Sequence, residues 1–159
     1  MTTEINTLMP IIIALHMLAA IVWVGGMFFA HQILRPIAAS QLEPPQRLRL
    51  WLGVFDRFFL WVWVAVVLVV TTGFWMIFGL FGGLGYVGVH VVAMLAIGLL
   101  MVALYGYVYF IPYPELKRAV AAQMWPDGAK ALAVIRVIVG TNLILGLLTS
   151  AIAAGGRYL

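Results

Sequence analysis

Three histidines stand within or at the edge of long apolar stretches of this sequence: His16, His31 and His90. An ionisable group at membrane depth is costly, so each is a candidate functional residue by default. An imidazole there can ligate a metal, carry a proton or hydrogen-bond a neighbouring helix. Helical rise sorts the three. At 1.5 Å per residue, His16 and His31 are about 22 Å apart along one helix and cannot share a metal. On the same rise His16 falls roughly 12 Å and His90 roughly 6 Å below one membrane boundary, a difference that helix tilt absorbs. His16 and His90 are therefore the expected pair. His31, with no second histidine at its depth, is a lesser candidate for a second metal site or a proton route.

Helical periodicity brings further groups into line with them. At 100° per residue, His90, Met94, Ile97, Met101 and Tyr105 form one stripe, and His16, Ala20, Trp23 and Met27 form another. Asn142, Gly146, Thr149 and Ala153 make a small, polar face suited to a bundle interior, with Asn142 read as an interhelical hydrogen-bonder. Gly25, Gly26, Gly73 and Gly98 leave room between helices. Two opposed imidazoles among small neighbours can hold a planar macrocycle edge-on, and ordinary tight packing uses the same residues. The methionines of these stripes are more often packing than ligands, because methionine fills irregular cores.

The elements that position these residues are membrane spans. The 159-residue chain is 65% apolar and 9% charged, far from the balance of a soluble domain. A spanning helix needs about 20 mostly apolar residues. Segments at about 8–30, 55–81, 86–111 and 132–154 meet that requirement, which predicts an all-α, polytopic membrane protein. Its expected form is one transmembrane domain over residues 1–159, an antiparallel four-helix bundle. The acidic start, with Glu4 and no base, is unlike a signal peptide, so the first run is read as a retained span.

Arg35, Arg47 and Arg49 lie between spans one and two, and Lys117, Arg118 and Lys130 between spans three and four. The link between spans two and three has no charge. The positive-inside rule puts both basic loops in the cytoplasm and both termini outside, with only Arg157 opposing. Leu42 to Trp51, prolines followed by alternating basic and apolar residues, reads as a short interfacial helix against anionic headgroups, and Pro112 to Lys130 reads similarly. Cysteine is absent, which removes disulfides, thiolate metal sites and cysteine nucleophiles. No basic segment is interleaved with aromatics, so nucleic acid is not an expected partner. No hydrolytic constellation is present.

The stretch Leu15-His16-Met17-Leu18-Ala19-Ala20-Ile21-Val22-Trp23-Val24-Gly25-Gly26-Met27-Phe28-Phe29 resembles the first helix of the CopD family, named for copper resistance. The resemblance continues through the Arg-rich first loop and the closing Asn142 to Gly156 segment. It implies a bacterial inner (cytoplasmic) membrane protein of copper uptake or resistance, with His16, His90 and Met94 as copper ligands. Imidazole and thioether donors suit Cu(I). A fainter resemblance links the chain to four-helix b-type cytochromes and HemJ-type protoporphyrinogen oxidases, which bind haem. The HemJ type has a His followed by Trp in its first helix, as His16 and Trp23 are here. Its third helix opens His-x-Lys where this chain has His90-Val91-Val92, so the lysine is missing and protoporphyrinogen oxidation is put in doubt.

The leading expectation is a b-type haem held by His16 and His90 as axial ligands, with an electron-transfer or oxidoreductase role at the outer face. The alternative is copper binding through the same histidines with Met94, and the third reading is a scaffold without catalysis. Haem leads because it needs two ligands and a slot, whereas a copper ladder through Met94, Met101, Tyr105 and His31 is sparse. The lipid bilayer is the one definite partner. A redox or metal donor and a homo-oligomer are both compatible with the sequence.

Overall fold

The computed structural model describes residues 2–158, with the side chains of residues 8–156 and 158. The side chains of Glu4 and Arg157, which entered the reading of the two ends, lie outside that description. The described chain is helical without strands: α1 (Thr2–Phe28), α2 (Arg35–Gln41), α3 (Pro44–Trp75), α4 (Val89–Phe110), α5 (Pro112–Ala121) and α6 (Trp125–Gly155), joined by π-helical and 3-10 turns. Four continuous helical runs are long and apolar enough to cross a membrane: Leu8–Gln41, Pro44–Leu80, Val89–Ala121 and Trp125–Gly155. Helices are the natural outcome for such segments, because hydrocarbon offers no partner to a free backbone N–H or C=O.

Prolines set the helix boundaries. Pro36 has no N–H to return to the preceding turn, and the chain widens just before it into a π turn, Phe29–Leu34. There the Arg35 N–H reaches back five residues to the Ala30 carbonyl. Pro44 and Pro45 open α3, and Glu43 and Gln46 close a reciprocal capping box over its first turn. At the other end of α3 a second π turn, Met76–Leu80, leads into Gly82 and Gly83, whose φ values of 80° and 127° only glycine adopts freely.

Two expectations are corrected here. The first span continues past residue 30 to Gln41, and the proposed interfacial helix from Leu42 to Trp51 is the opening of α3, with Leu48 and Trp51 buried in the core. Once the capping box starts the helix nothing breaks it, so Arg47 and Arg49 ride on a helix that projects beyond the apolar segment. The second basic segment does contain a separate helix, α5. Its apolar side, with Leu116 fully buried, packs on α6 and leaves little to lay on lipid.

α1 packs along α3, and α4 and α5 pack along α6; α6 touches α1 and α3 more lightly, and α1 and α4 are not substantial neighbours. The core is concentrated at the basic end. Phe55, Phe59, Tyr105, Tyr109 and Tyr113 form a continuous aromatic cluster with Trp23, Trp51 and Trp63, with neighbouring ring centroids about 5–6.5 Å apart. The Tyr105 hydroxyl donates to the Phe59 carbonyl at 2.9 Å. Lys117 binds Asp56 at 2.8 Å and the Tyr113 hydroxyl donates to the same carboxylate, tying α5 to α3. Toward the uncharged end the packing thins, and no α4 residue before Met101 is buried. Large apolar side chains such as Ile21, Leu60, Val67, Val137 and Ile144 face outward, as a lipid-facing surface requires. Leu116→Ala, at the α5–α6 contact, should lower stability by about 2–5 kcal/mol, measured as the shift in reversible unfolding in mixed micelles; a change below about 0.5 kcal/mol would contradict the packing described.

Candidate functional site

His16 is half-buried on the face of α1 that meets α3. Its Nδ1 lies 2.8 Å from the Thr72 hydroxyl, and Gly73 stands beside the ring. A Cβ at residue 73 would come 3.4 Å from the imidazole Cε1, so the ring lies close against this face of α3. The Thr72 hydroxyl also closes on the Leu68 carbonyl one turn back. A hydroxyl has one proton and a carbonyl can only accept, so with that proton given to Leu68 the hydroxyl meets the ring with a lone pair. Thr72 is then an acceptor toward the ring, the His16 Nδ1–H donates, and Nε2 keeps its lone pair. This is the arrangement in which an outer partner sets the tautomer and aims a histidine for a metal.

His90 stands in the first turn of α4, half-buried. Gly88 flanks its ring and Gly156, at the end of α6, lies against its Cβ. Met94 follows one turn along and is also half-buried. The expected pair therefore shares an end of the bundle, yet each imidazole makes its contacts with a different helix, His16 with α3 and His90 with α6. Among the described residues no hydrogen bond joins them, and their helices are not substantial neighbours. His31 is remote from both. It sits in the π turn, where its Nε2 takes a hydrogen bond of 3.4 Å from Arg35 and its ring lies against Gly140 of α6.

Along the two stripes, burial rises from the histidines inward. Trp23, Met27, Met101 and Tyr105 are each at most 4% exposed. Asn142 donates from Nδ2 to the Met101 carbonyl at 3.1 Å, as its polar character in an apolar span predicted. Its Oδ1 is buried without a partner, and the residue lines a small pocket with Trp23, Met27 and Tyr105. Among the described residues no group of three or more His, Asp or Glu side chains is placed to hold a metal.

The family model described as "Copper resistance protein D" matches residues 52–155. The chain belongs to the CopD family. Neither the curated proteins nor the solved structures contain a match to it. The matched region runs through α3 to α6, so Thr72, His90, Met94 and Asn142 of this CopD-family chain fall inside it, and His16 and His31 precede it.

Thr72 was missed by reading the sequence. The signal was present, since Thr71 and Thr72 are the polar residues at the end of a long apolar run, but periodicity within one helix does not say which helix a hydroxyl will meet. If Thr72 sets the His16 tautomer, Thr72→Val should weaken metal binding at His16 about 10–100-fold with the helix content unchanged. Competition with a chromophoric chelator, alongside circular dichroism, measures both.

Proposed function

We propose that this CopD-family protein handles copper within the membrane, taking the ion as cargo at Nε2 of His16. The observation that carries the reading is the hydrogen bond between His16 Nδ1 and Thr72, which in the Nδ1–H tautomer leaves the lone pair of Nε2 for a metal. His90 and Met94, one turn apart on one face of α4, supply a second imidazole and a thioether at the same end of the bundle. Imidazole and thioether are donors that Cu(I) accepts. Deeper in the bundle the next soft donors, Met27 and Met101, are both 3% exposed and lie on the two stripes that lead inward from the histidines. By the positive-inside rule the basic end faces the cytoplasm, which puts the histidine end at the outer face.

A b-type haem with a redox role is the second reading, and one observation favours it. The absence of buried α4 residues before Met101 leaves the histidine end loosely packed, where a macrocycle could stand between helices. His16 with a bare Nε2 suits an axial position as well as it suits copper. Such a haem would supply one-electron chemistry, with His16 and His90 as its ligands. In the structure His90 packs on Gly156, so both histidines would have to turn toward one another.

Absorption spectra of the purified protein, before and after dithionite, with metal analysis and anaerobic Cu(I) titration, separate these readings. Copper handling predicts a colourless protein that takes up Cu(I) stoichiometrically, with affinity falling at least tenfold in His16→Ala and little changed in His31→Ala. A Soret band that sharpens into α and β bands on reduction, lost in both His16→Ala and His90→Ala, would instead establish haem. Full Cu(I) affinity in His16→Ala would sink the copper assignment.

A further inference from the structure

At the basic end, three residues that line one small pocket each carry a buried nitrogen donor, and among the described residues none of those donors meets an acceptor. His31 Nδ1, Trp51 Nε1 and Arg136 Nε are each buried without a hydrogen-bond partner among the described residues, and all three residues line that pocket with Arg35. His31 accepts from Arg35 at Nε2, so its Nδ1 bears the proton and is itself a donor. Trp51 is 4% exposed, and its indole N–H can only donate. The three come from separate parts of the chain, the π turn, α3 and α6, and tertiary packing alone brings them together.

The charges around the pocket point the same way. Arg35 and Arg136 both bear electrostatically on His31, and Arg35 and Arg47 both bear on Arg136. Among the described residues the ion pairs are Lys117 with Asp56 and Lys130 with Asp127, so none of these three arginines has an acidic partner. The nearest carboxylate in sequence, Glu43, is engaged in capping α3. Like charges held together with unmet donors repel one another unless an anion stands between them. The donor set is also selective: planar guanidinium forks match the oxygens of a phosphate. The surface that faces the pocket is apolar, with Ala30, Phe55 and Ile135 in its wall.

We propose that the pocket framed by His31, Arg35, Trp51 and Arg136 binds a phosphate group at the basic end of the bundle, clamping α1, α3 and α6 together. Arg47 adds to its field. The phosphate can come from a membrane lipid headgroup, whose chains would follow the apolar wall, or from free phosphate. His31 then acts as a hydrogen-bond donor to the anion, and its Nε2, engaged by Arg35, is not offered to a metal. The site is independent of the histidine end and of what is bound there.

The test uses the full chain in an uncharged detergent. Its unfolding temperature is followed against inorganic phosphate, with chloride at matched ionic strength as reference, and separately against phosphatidylglycerol in mixed micelles. Saturable stabilisation is expected. A response to phosphatidylglycerol alone identifies a lipid headgroup, and a response to inorganic phosphate identifies a soluble source. Arg136→Gln and Arg35→Gln should each raise the half-saturating concentration about tenfold or more, the size of a lost charge-assisted contact. Arg118→Gln, an exposed arginine on α5 that bonds the Pro114 carbonyl, should not. No stabilisation of the unaltered protein by either probe overturns the proposal, whatever the variants do. An equal loss in Arg118→Gln also overturns it, since the attraction would then be diffuse.

Discussion

In hydrocarbon a polar group cannot fall back on water, and the rest of this structure follows from that constraint. The backbone meets it by coiling, and two of the breaks in the α-helices are π turns that keep backbone groups engaged. Side chains meet it locally where they can. Thr71, Thr72, Thr141, Thr149 and Ser150 all return their hydroxyls to carbonyls of their own helix. Where that is insufficient, polar groups cross between helices, as Asn142 does to the Met101 carbonyl and His16 to Thr72. These crossings fix the rotation of one helix against another more sharply than apolar contact does, because a hydrogen bond has a direction.

The two ends of the bundle answer the constraint differently. At the basic end aromatic rings fill the space between α3, α4 and α5, and the Tyr105 and Tyr113 hydroxyls are taken up by a carbonyl and a carboxylate. That end is a rigid platform. At the opposite end the helices are held by fewer contacts and the imidazoles retain unused capacity. A well-packed end below and a looser end above would suit the proposed copper handling, since a fully packed end would have no room for cargo.

The polar groups left without partners are the informative ones. Of the buried side-chain atoms lacking one among the described residues, three are donors on residues that line a single pocket, and the fourth, Asn142 Oδ1, belongs to a residue that lines another pocket with Met27. A scattered set would speak of loose packing. A set of like kind in one place, beside arginines without acidic partners, is what the proposed phosphate site rests on.

The four spans, the all-helical class and the inward-facing stripes through Met101, Tyr105, Trp23 and Met27 could be read from the sequence by itself. Each depends on local quantities, the length of an apolar run and the 100° step of a helix. The family could be read too, and the match over residues 52–155 supports it. What needed tertiary structure was every relation between helices. Periodicity puts His16 on a face but does not say that the face meets α3, so Thr72 went unnoticed. It puts His90 at the same depth but does not set it against Gly156. The π turn at Phe29–Leu34 shifts the helical phase just where His31 lies, so a regular helix could not have placed that ring beside Trp51 and Arg136. The reason is common to all three. An apolar run records how a residue meets the bilayer, whereas its partner on another helix is chosen by packing between segments distant in the chain.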